Sequence, residues 1–173
     1  GKIKEFSLFF DSKEFVLHTA ENFSCLEDGS SFIENALKKV KSVKTNDYIL
    51  ADDSGLVVPL LDNEPGLYSA RYSCDGRHLD KLISRLKNNG LERAPAYFYC
   101  ALVFSRGNDD PCPIVVTASW DGEIRTKISG ENGFGYDPIF YIAGNKSAAE
   151  LSSKEKLLIS HRGKALTKLI ELL

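Results

Sequence analysis

The sequence has no methionine, one tryptophan and only three histidines, His18, His78 and His161. Without Met and opening at Gly1, it reads as a processed or trimmed form. No stretch approaches the roughly eighteen consecutive apolar residues of a membrane helix, and no charged start leads into a hydrophobic run, so neither a span nor a signal peptide is visible and a cytoplasmic location is expected. Cys25, Cys74, Cys100 and Cys112 are far apart and form no CxxC pair, which favours reduced thiols over zinc ligands or disulfides. A P-loop is missing too, so a kinase or P-loop ATPase is not supported. Nor does one charge dominate: 22 Lys and Arg face 24 Asp and Glu, a net charge of -2. That balance gives no footprint for polymeric nucleic acid, and a small anion would need a local basic cluster.

What is present suits a single globular domain, with 43% apolar residues in a chain of 173. Its centre is Tyr48 to Gly55, YILADDSG, a short apolar run closing on two carboxylates, a hydroxyl and a glycine. This pattern predicts a buried strand that turns at Gly55, with Asp52 and Asp53 at its carboxyl end, where α/β folds open their ligand clefts. Successive strand side chains alternate faces, so the two aspartates should have different jobs. Asp and Ser also form turns, and the stretch alone fits a turn better than a site.

Before it, Ile3, Phe6, Phe9 and Phe10 fall at helical spacing, and the positive end of such a helix carries Gly1 and Lys2. Glu14 to His18 alternates weakly, as in a strand, and Asn22 to Ser30 is a polar loop bearing Glu27 and Asp28. Ser31-x-x-Glu34 is a capping box opening a helix with Ile33, Ala36, Leu37 and Val40 on its buried stripe. Lys38, Lys39, Lys41 and Lys44 lie on the other faces, where solvated charge is the ordinary role.

After YILADDSG, Leu56 to Leu61 is a second apolar run, and Pro65-Gly66 marks a turn. Leu79, Leu82, Ile83 and Leu86 define another helix, ending by Asn88 to Gly90. Ala96 to Phe104 is a central strand, and Asp121-Gly122 predicts a hairpin joining Ile114–Trp120 to Glu123–Ile128. SGENGFGYDPIF sets Phe134 among glycines, where a base or a core contact could order the ring. A second capping box, Ser152 to Glu155, precedes a short helix and the cluster Lys156, His161, Arg162 and Lys164, which suits a phosphate or a polar base edge as well as a solvated helix end. Leu166, Leu169, Ile170 and Leu173 share one face of the last helix.

Acids, a glycine-flanked aromatic and a basic cluster together suit metal-assisted phosphoryl chemistry on a nucleotide, with Mg²⁺ between carboxylates and phosphate oxygens. Moreover, SFIENA, ADDSGL, PGLYSARYS, GFGYDPIF, AAEL and EKLLISHRGKAL occur in one order over nearly the whole chain, and in this the sequence resembles the inosine triphosphate pyrophosphatase family. The resemblance implies an elongated α/β fold with a mixed, curved sheet, two lobes and a central cleft, usually as a homodimer. It also implies Mg²⁺-dependent hydrolysis of inosine, deoxyinosine and xanthosine triphosphates to monophosphate and pyrophosphate.

Carried over by motif, Asp53 would be the general base and a metal carboxylate, with Asp52 and Glu27 completing the metal site. Ser54 would touch the substrate, and Lys2 and Lys39 would meet the phosphates. Phe134, Gly135, Tyr136 and Asp137 would form the purine pocket, and Lys156, His161 and Arg162 would add base and phosphate contacts. Residues 1–173 would then be a single pyrophosphatase domain lacking the family's first strand and most of its phosphate loop, of which Gly1 and Lys2 remain. A pyrophosphatase for other modified bases and a nucleotide-binding protein without catalysis are the alternatives.

Overall fold

The computed structural model describes residues 1–11, 16–20 and 24–173. The predicted first helix forms as α1 (Lys2–Phe10), but the residue that it buries alongside Phe10 is Glu5, while Ile3 is exposed. Glu14 and Phe15 of the expected strand, and Asn22 and Phe23 of the following loop, lie outside the described residues, and residues 16–18 have no regular structure. Helix α2 (Phe32–Ser42) starts as expected, with the Ser31 hydroxyl accepting from the Glu34 N–H. The Glu34 carboxylate reaches one residue further back, accepting from the amide and hydroxyl of Ser30.

Strand β1 (Ile49–Val57) runs through Gly55 without turning, so Asp52 and Asp53 sit mid-strand and not at its carboxyl end. Gly55 serves close approach: a Cβ there would come within 2.5 Å of both the Gly66 carbonyl oxygen and the Ser69 hydroxyl. The chain then makes short 3₁₀ turns at Pro59–Leu61 and Gly66–Arg71 and enters α3 (His78–Asn88), which buries Leu82 and Leu86.

Strand β2 (Arg93–Ser105) is central, paired with β1 on one side and β3 (Ile114–Arg125) on the other. The predicted hairpin at Asp121-Gly122 does not exist. Both residues lie inside continuous β3, opposite Tyr97 and Ala96. The glycine serves packing here as well, since a Cβ on Gly122 would stand 2.5 Å from the Tyr141 carbonyl oxygen and 2.7 Å from the Phe140 ring. Those neighbours belong to β4 (Phe140–Tyr141), the last strand of the order β1-β2-β3-β4. The expected α/β layering of a curled sheet with flanking helices is found. Its ladders among the described residues are antiparallel throughout, without the parallel pairing that a mixed sheet implies.

Helix α4 (Ser153–Ile159) begins at the predicted capping box, and α5 (His161–Leu172) follows directly, capped by the Ser160 hydroxyl. One sheet face packs Ile49, Ala51 and Val103 against Ala36 and Val40 of α2. The other packs Cys100, Leu102 and Val116 against Leu166 and Leu169 of α5 and Phe10 of α1. A third cluster around Leu56, Leu82, Trp120 and Phe140 fills the far end. Burial on both faces therefore sends adjacent β1 side chains to different helices.

Candidate active site

Asp53 points toward α2. Its Oδ1 lies 2.8 Å from Lys39 Nζ, and its Oδ2 accepts from the amide of Asn35 at 3.2 Å. A buried carboxylate is costly unless paired and hydrogen-bonded, and these two donors, one turn apart on the same helix face, supply that. Lys39 Nζ is also 3.0 Å from Glu27 Oε1, and Glu27 in turn receives Arg71 on its carboxylate at 3.3 Å and on its carbonyl oxygen at 2.7 Å. Partial burial opposes the charge on Glu27, but Lys39 and then Arg71 and Lys2 outweigh it and hold the carboxyl below its usual range. Burial likewise opposes the charge on Lys39, and Asp53 and Glu27 override it, so the ammonium persists to higher pH than usual.

Asp52 points the other way, toward α1 and α5. Oδ1 meets Lys2 Nζ at 2.5 Å and the Ser54 hydroxyl at 3.2 Å. Oδ2 accepts from Cys100 Sγ at 3.2 Å and Arg162 Nε at 3.3 Å. A carboxylate offers about four lone-pair positions, and here each has a donor. Burial raises this carboxyl's pKa, but Arg162 and Lys2 dominate and drive it far down. Asp52 is thereby saturated by protein donors, and the metal-ligand role expected for it does not fit this arrangement. Asp53, with one donor on each oxygen, keeps open acceptor positions.

On the far side, Arg162 donates to the Ser54 hydroxyl at 2.8 Å and forms a short pair with Glu5. Glu5 also lies 3.0 Å from Lys156 Nζ, which is 2.7 Å from Asp137 Oδ2. Asp137 closes the glycine-rich loop by accepting the Phe134 N–H at 2.7 Å. Its deep burial raises the carboxyl's pKa against the pull of Lys156. The Phe134 ring stays 38% exposed, with Lys156 Nζ 4.5 Å from its centroid and Gly1 against it. Gly135, at φ +61, has open space where a side chain would be.

Two predicted contact residues face away. Tyr136 is buried in the core and donates its hydroxyl to the Ser69 carbonyl oxygen at 2.9 Å. His161 is buried and stacks on Phe98 and Trp120, with centroids 4.8 and 6.4 Å away. Among the described residues its Nδ1 has no hydrogen-bond partner, and burial, followed by Arg162, holds the imidazole neutral well below its usual pKa. Lys164, grouped with them in sequence, is exposed and donates to the Ser119 carbonyl oxygen. Conversely, Glu5, Asn35, Arg71 and Cys100 enter the site without having been foreseen. The readable signal for Glu5 and Asn35 was a polar residue within the apolar pattern of a helix; Arg71 and Cys100 come in only through tertiary contacts.

The Ham1 family model matches residues 1–172. The chain belongs to the Ham1 family. Among curated Ham1 relatives, the dITP/XTP pyrophosphatase of Bacillus anthracis is 42% identical over 182 residues, covering 99% of this chain and 90% of the relative. The enzyme of the same name from Legionella pneumophila (strain Paris) is 47% identical over 158 residues, covering 87% and 81%. In three dimensions the chain is similar to the HAM1 protein of Coxiella burnetii, with a TM-score of 0.86, 36% identity and coverage of 99% and 92%. The Ham1 protein of Staphylococcus aureus matches with a TM-score of 0.82, 39% identity and the same coverage.

In this Ham1 chain the donor set can be tested against a hard cation. No group of three His, Cys, Asp or Glu side chains converges for a metal among the described residues. Glu27 and Asp53 nevertheless converge on one positive atom, Lys39 Nζ, which stands between their oxygens. Mg²⁺ characteristically takes one or two protein carboxylates and fills its octahedron with water and substrate phosphates. Glu27 and Asp53 fit that requirement.

Proposed function

We propose that this protein is a Mg²⁺-dependent nucleoside triphosphate pyrophosphatase that hydrolyses inosine, deoxyinosine and xanthosine triphosphates to the monophosphate and pyrophosphate, clearing them from the nucleotide pool. The observation that carries the reading is the convergence of Glu27 and Asp53 on a single cationic position beside a further acid–cation network. A polyphosphate entering this network draws Lys39 to its own oxygens, and Glu27 and Asp53, thus freed, require a replacement cation. When bound, Mg²⁺ would neutralise phosphate charge between Glu27 and Asp53. Asp53 has open lone pairs and stays held by Asn35, which supports it as the base that takes a proton from the attacking water. Lys2, Lys39 and Arg162 would stabilise the charge on the departing pyrophosphate.

On the purine side, Phe134 offers an exposed ring for stacking. Lys156 Nζ beside that ring supports it as the donor to the 6-oxygen. An adenine amino group would leave that donor unpaired, a mismatch of about 1–3 kcal/mol. The relatives' names, dITP/XTP pyrophosphatase, agree with this choice of substrate. The family resemblance further supports a cytoplasmic homodimer, to be checked by light scattering. The deciding experiment measures pyrophosphate release from inosine, xanthosine, adenosine and guanosine triphosphates with Mg²⁺. Turnover of the first two well above that of adenosine triphosphate is expected, and equal rates on adenosine triphosphate would overturn the assignment.

A further inference from the structure

We infer that Asp52 is a positioning residue that locks Lys2, Arg162 and Ser54 into one frame, with the Cys100 thiol as the donor that fixes its carboxylate. The inference rests on the nucleotide-pyrophosphatase reading for what Lys2 and Arg162 bind, and on geometry for everything else.

The geometry is specific. Asp52 and Cys100 come from adjacent antiparallel strands, with Cys100 directly opposite Ser54 in the β1–β2 register. Cys100 is fully buried, and its Sγ lies 3.2 Å from Asp52 Oδ2, the same oxygen that accepts Arg162 Nε. The other oxygen holds Lys2 at 2.5 Å and the Ser54 hydroxyl at 3.2 Å, and Ser54 also accepts from Arg162. Arg162 is thus gripped twice from β1, once directly and once through Ser54. Lys2, from the first turn of α1, is bound to the same carboxylate. One side chain ties the starts of α1 and α5 to the sheet, so Lys2 and Arg162, both on the phosphate side, cannot move independently. Arg162 and Lys2 arrive from single directions along long side chains. The short thiol is held by the backbone of the neighbouring strand, so together with the Ser54 hydroxyl on the other oxygen it sets the plane of the carboxylate from within the sheet. This role differs from that of Asp53 on the opposite face, which retains lone pairs for chemistry.

The Cys100 thiol provides a direct reporter, because hydrogen bonding to a carboxylate lowers the S–H stretching frequency. Raman spectra of the full chain, with the Cys100 band assigned by its loss in Cys100→Ala, should show that band below those of the other thiols. Asp52→Asn should return it toward them, and Asp53→Asn should leave it where it is. In steady state, Asp52→Asn should lower kcat/KM for inosine triphosphate at least about tenfold, as expected for losing hydrogen bonds to a charged group. The Mg²⁺ concentration that half-activates its residual turnover should stay within about twofold of the unsubstituted protein, since lone pairs already filled by protein donors take no metal. Cys100→Ala and Cys100→Ser keep every charge in place: the alanine variant should lose kcat/KM several-fold and the serine variant should recover most of it.

An unshifted Cys100 band overturns the inference. So does a Mg²⁺ requirement that rises in Asp52→Asn as it does in Asp53→Asn, or a Cys100→Ala variant indistinguishable from the unsubstituted protein. Should the unsubstituted chain release no pyrophosphate, the functional reading fails while the Raman comparison still decides the thiol–carboxylate bond.

Discussion

Lys39 Nζ on α2 and Asp53 Oδ1 on β1 lie 2.8 Å apart, and the same ammonium is 3.0 Å from Glu27. One lysine thus holds two carboxylates together where a divalent cation would otherwise be needed. Replacing it by Met leaves those acids facing each other uncompensated. Lys39→Met is expected to lose about 1–2 kcal/mol of stability at neutral pH, discounted for the partial exposure of Glu27. Added Mg²⁺ should raise the melting temperature of Lys39→Met more than that of the unsubstituted protein. Equal metal responses would count against Glu27 and Asp53 as the metal pair.

Asp53→Asn removes the proposed base but keeps an amide that can still meet Asn35 and the strand. Its kcat should fall by about 10²–10⁴, with pyrophosphate release followed at saturating inosine triphosphate. Turnover near that of the unsubstituted protein would mean that another group activates the water.

Phe134 sits on a loop already closed by Asp137, so shortening its exposed ring should leave the fold intact. Phe134→Ala is expected to raise KM for inosine triphosphate about tenfold, the lower range of base–aromatic stacking. The melting temperature should change little. A large stability loss with unchanged KM would make the ring a core contact instead.

His161 is buried neutral between aromatic rings, and burial depresses its pKa in the folded state. Above the unfolded pKa of about 6.5 both states are neutral, and the group contributes no pH dependence. Below it the unfolded chain takes up a proton that the folded chain refuses, so stability falls as pH drops, by up to about 1.4 kcal/mol per pH unit. Denaturant titrations from pH 7 to 5 should show this slope, and His161→Phe, which keeps an aromatic ring in the stack, should flatten it. A slope retained in His161→Phe would assign the acid sensitivity to other groups.

Gly122 leaves no room for a side chain beneath Tyr141 and Phe140. Gly122→Val should cost about 1–3 kcal/mol, a typical overpacking cost, measured by chemical unfolding. A two-residue turn at this point would disfavour valine as well, so the measurement reports on the packing itself, and a neutral result would contradict the close approach of Tyr141 and Phe140.

Much of the architecture was legible locally. The helices that include residues 32–42, 78–88 and 161–172 follow from apolar spacing, with capping boxes marking the starts near Ser31 and Ser152. The opposite roles of Asp52 and Asp53 follow from strand alternation alone. Asp121-Gly122 and Gly55 misled because glycine answers to two physical demands, turning and close packing, and only the neighbours brought by β4 and the Gly66–Arg71 turn reveal which applies.

Sequence by itself thus determined the helices, the family and most of the charged residues that meet at the site, because period, caps and motifs are local properties. Tertiary structure alone decided how those charges pair. Glu5 neutralises Lys156 and Arg162 from 151 or more positions away, Cys100 and Arg162 saturate Asp52, and His161 turns into an aromatic stack beside its working neighbour Arg162. Pairing depends on which side chains cross-strand register and helix packing bring within about 3 Å, a distance at which hydrogen bonds form and which linear spacing cannot encode.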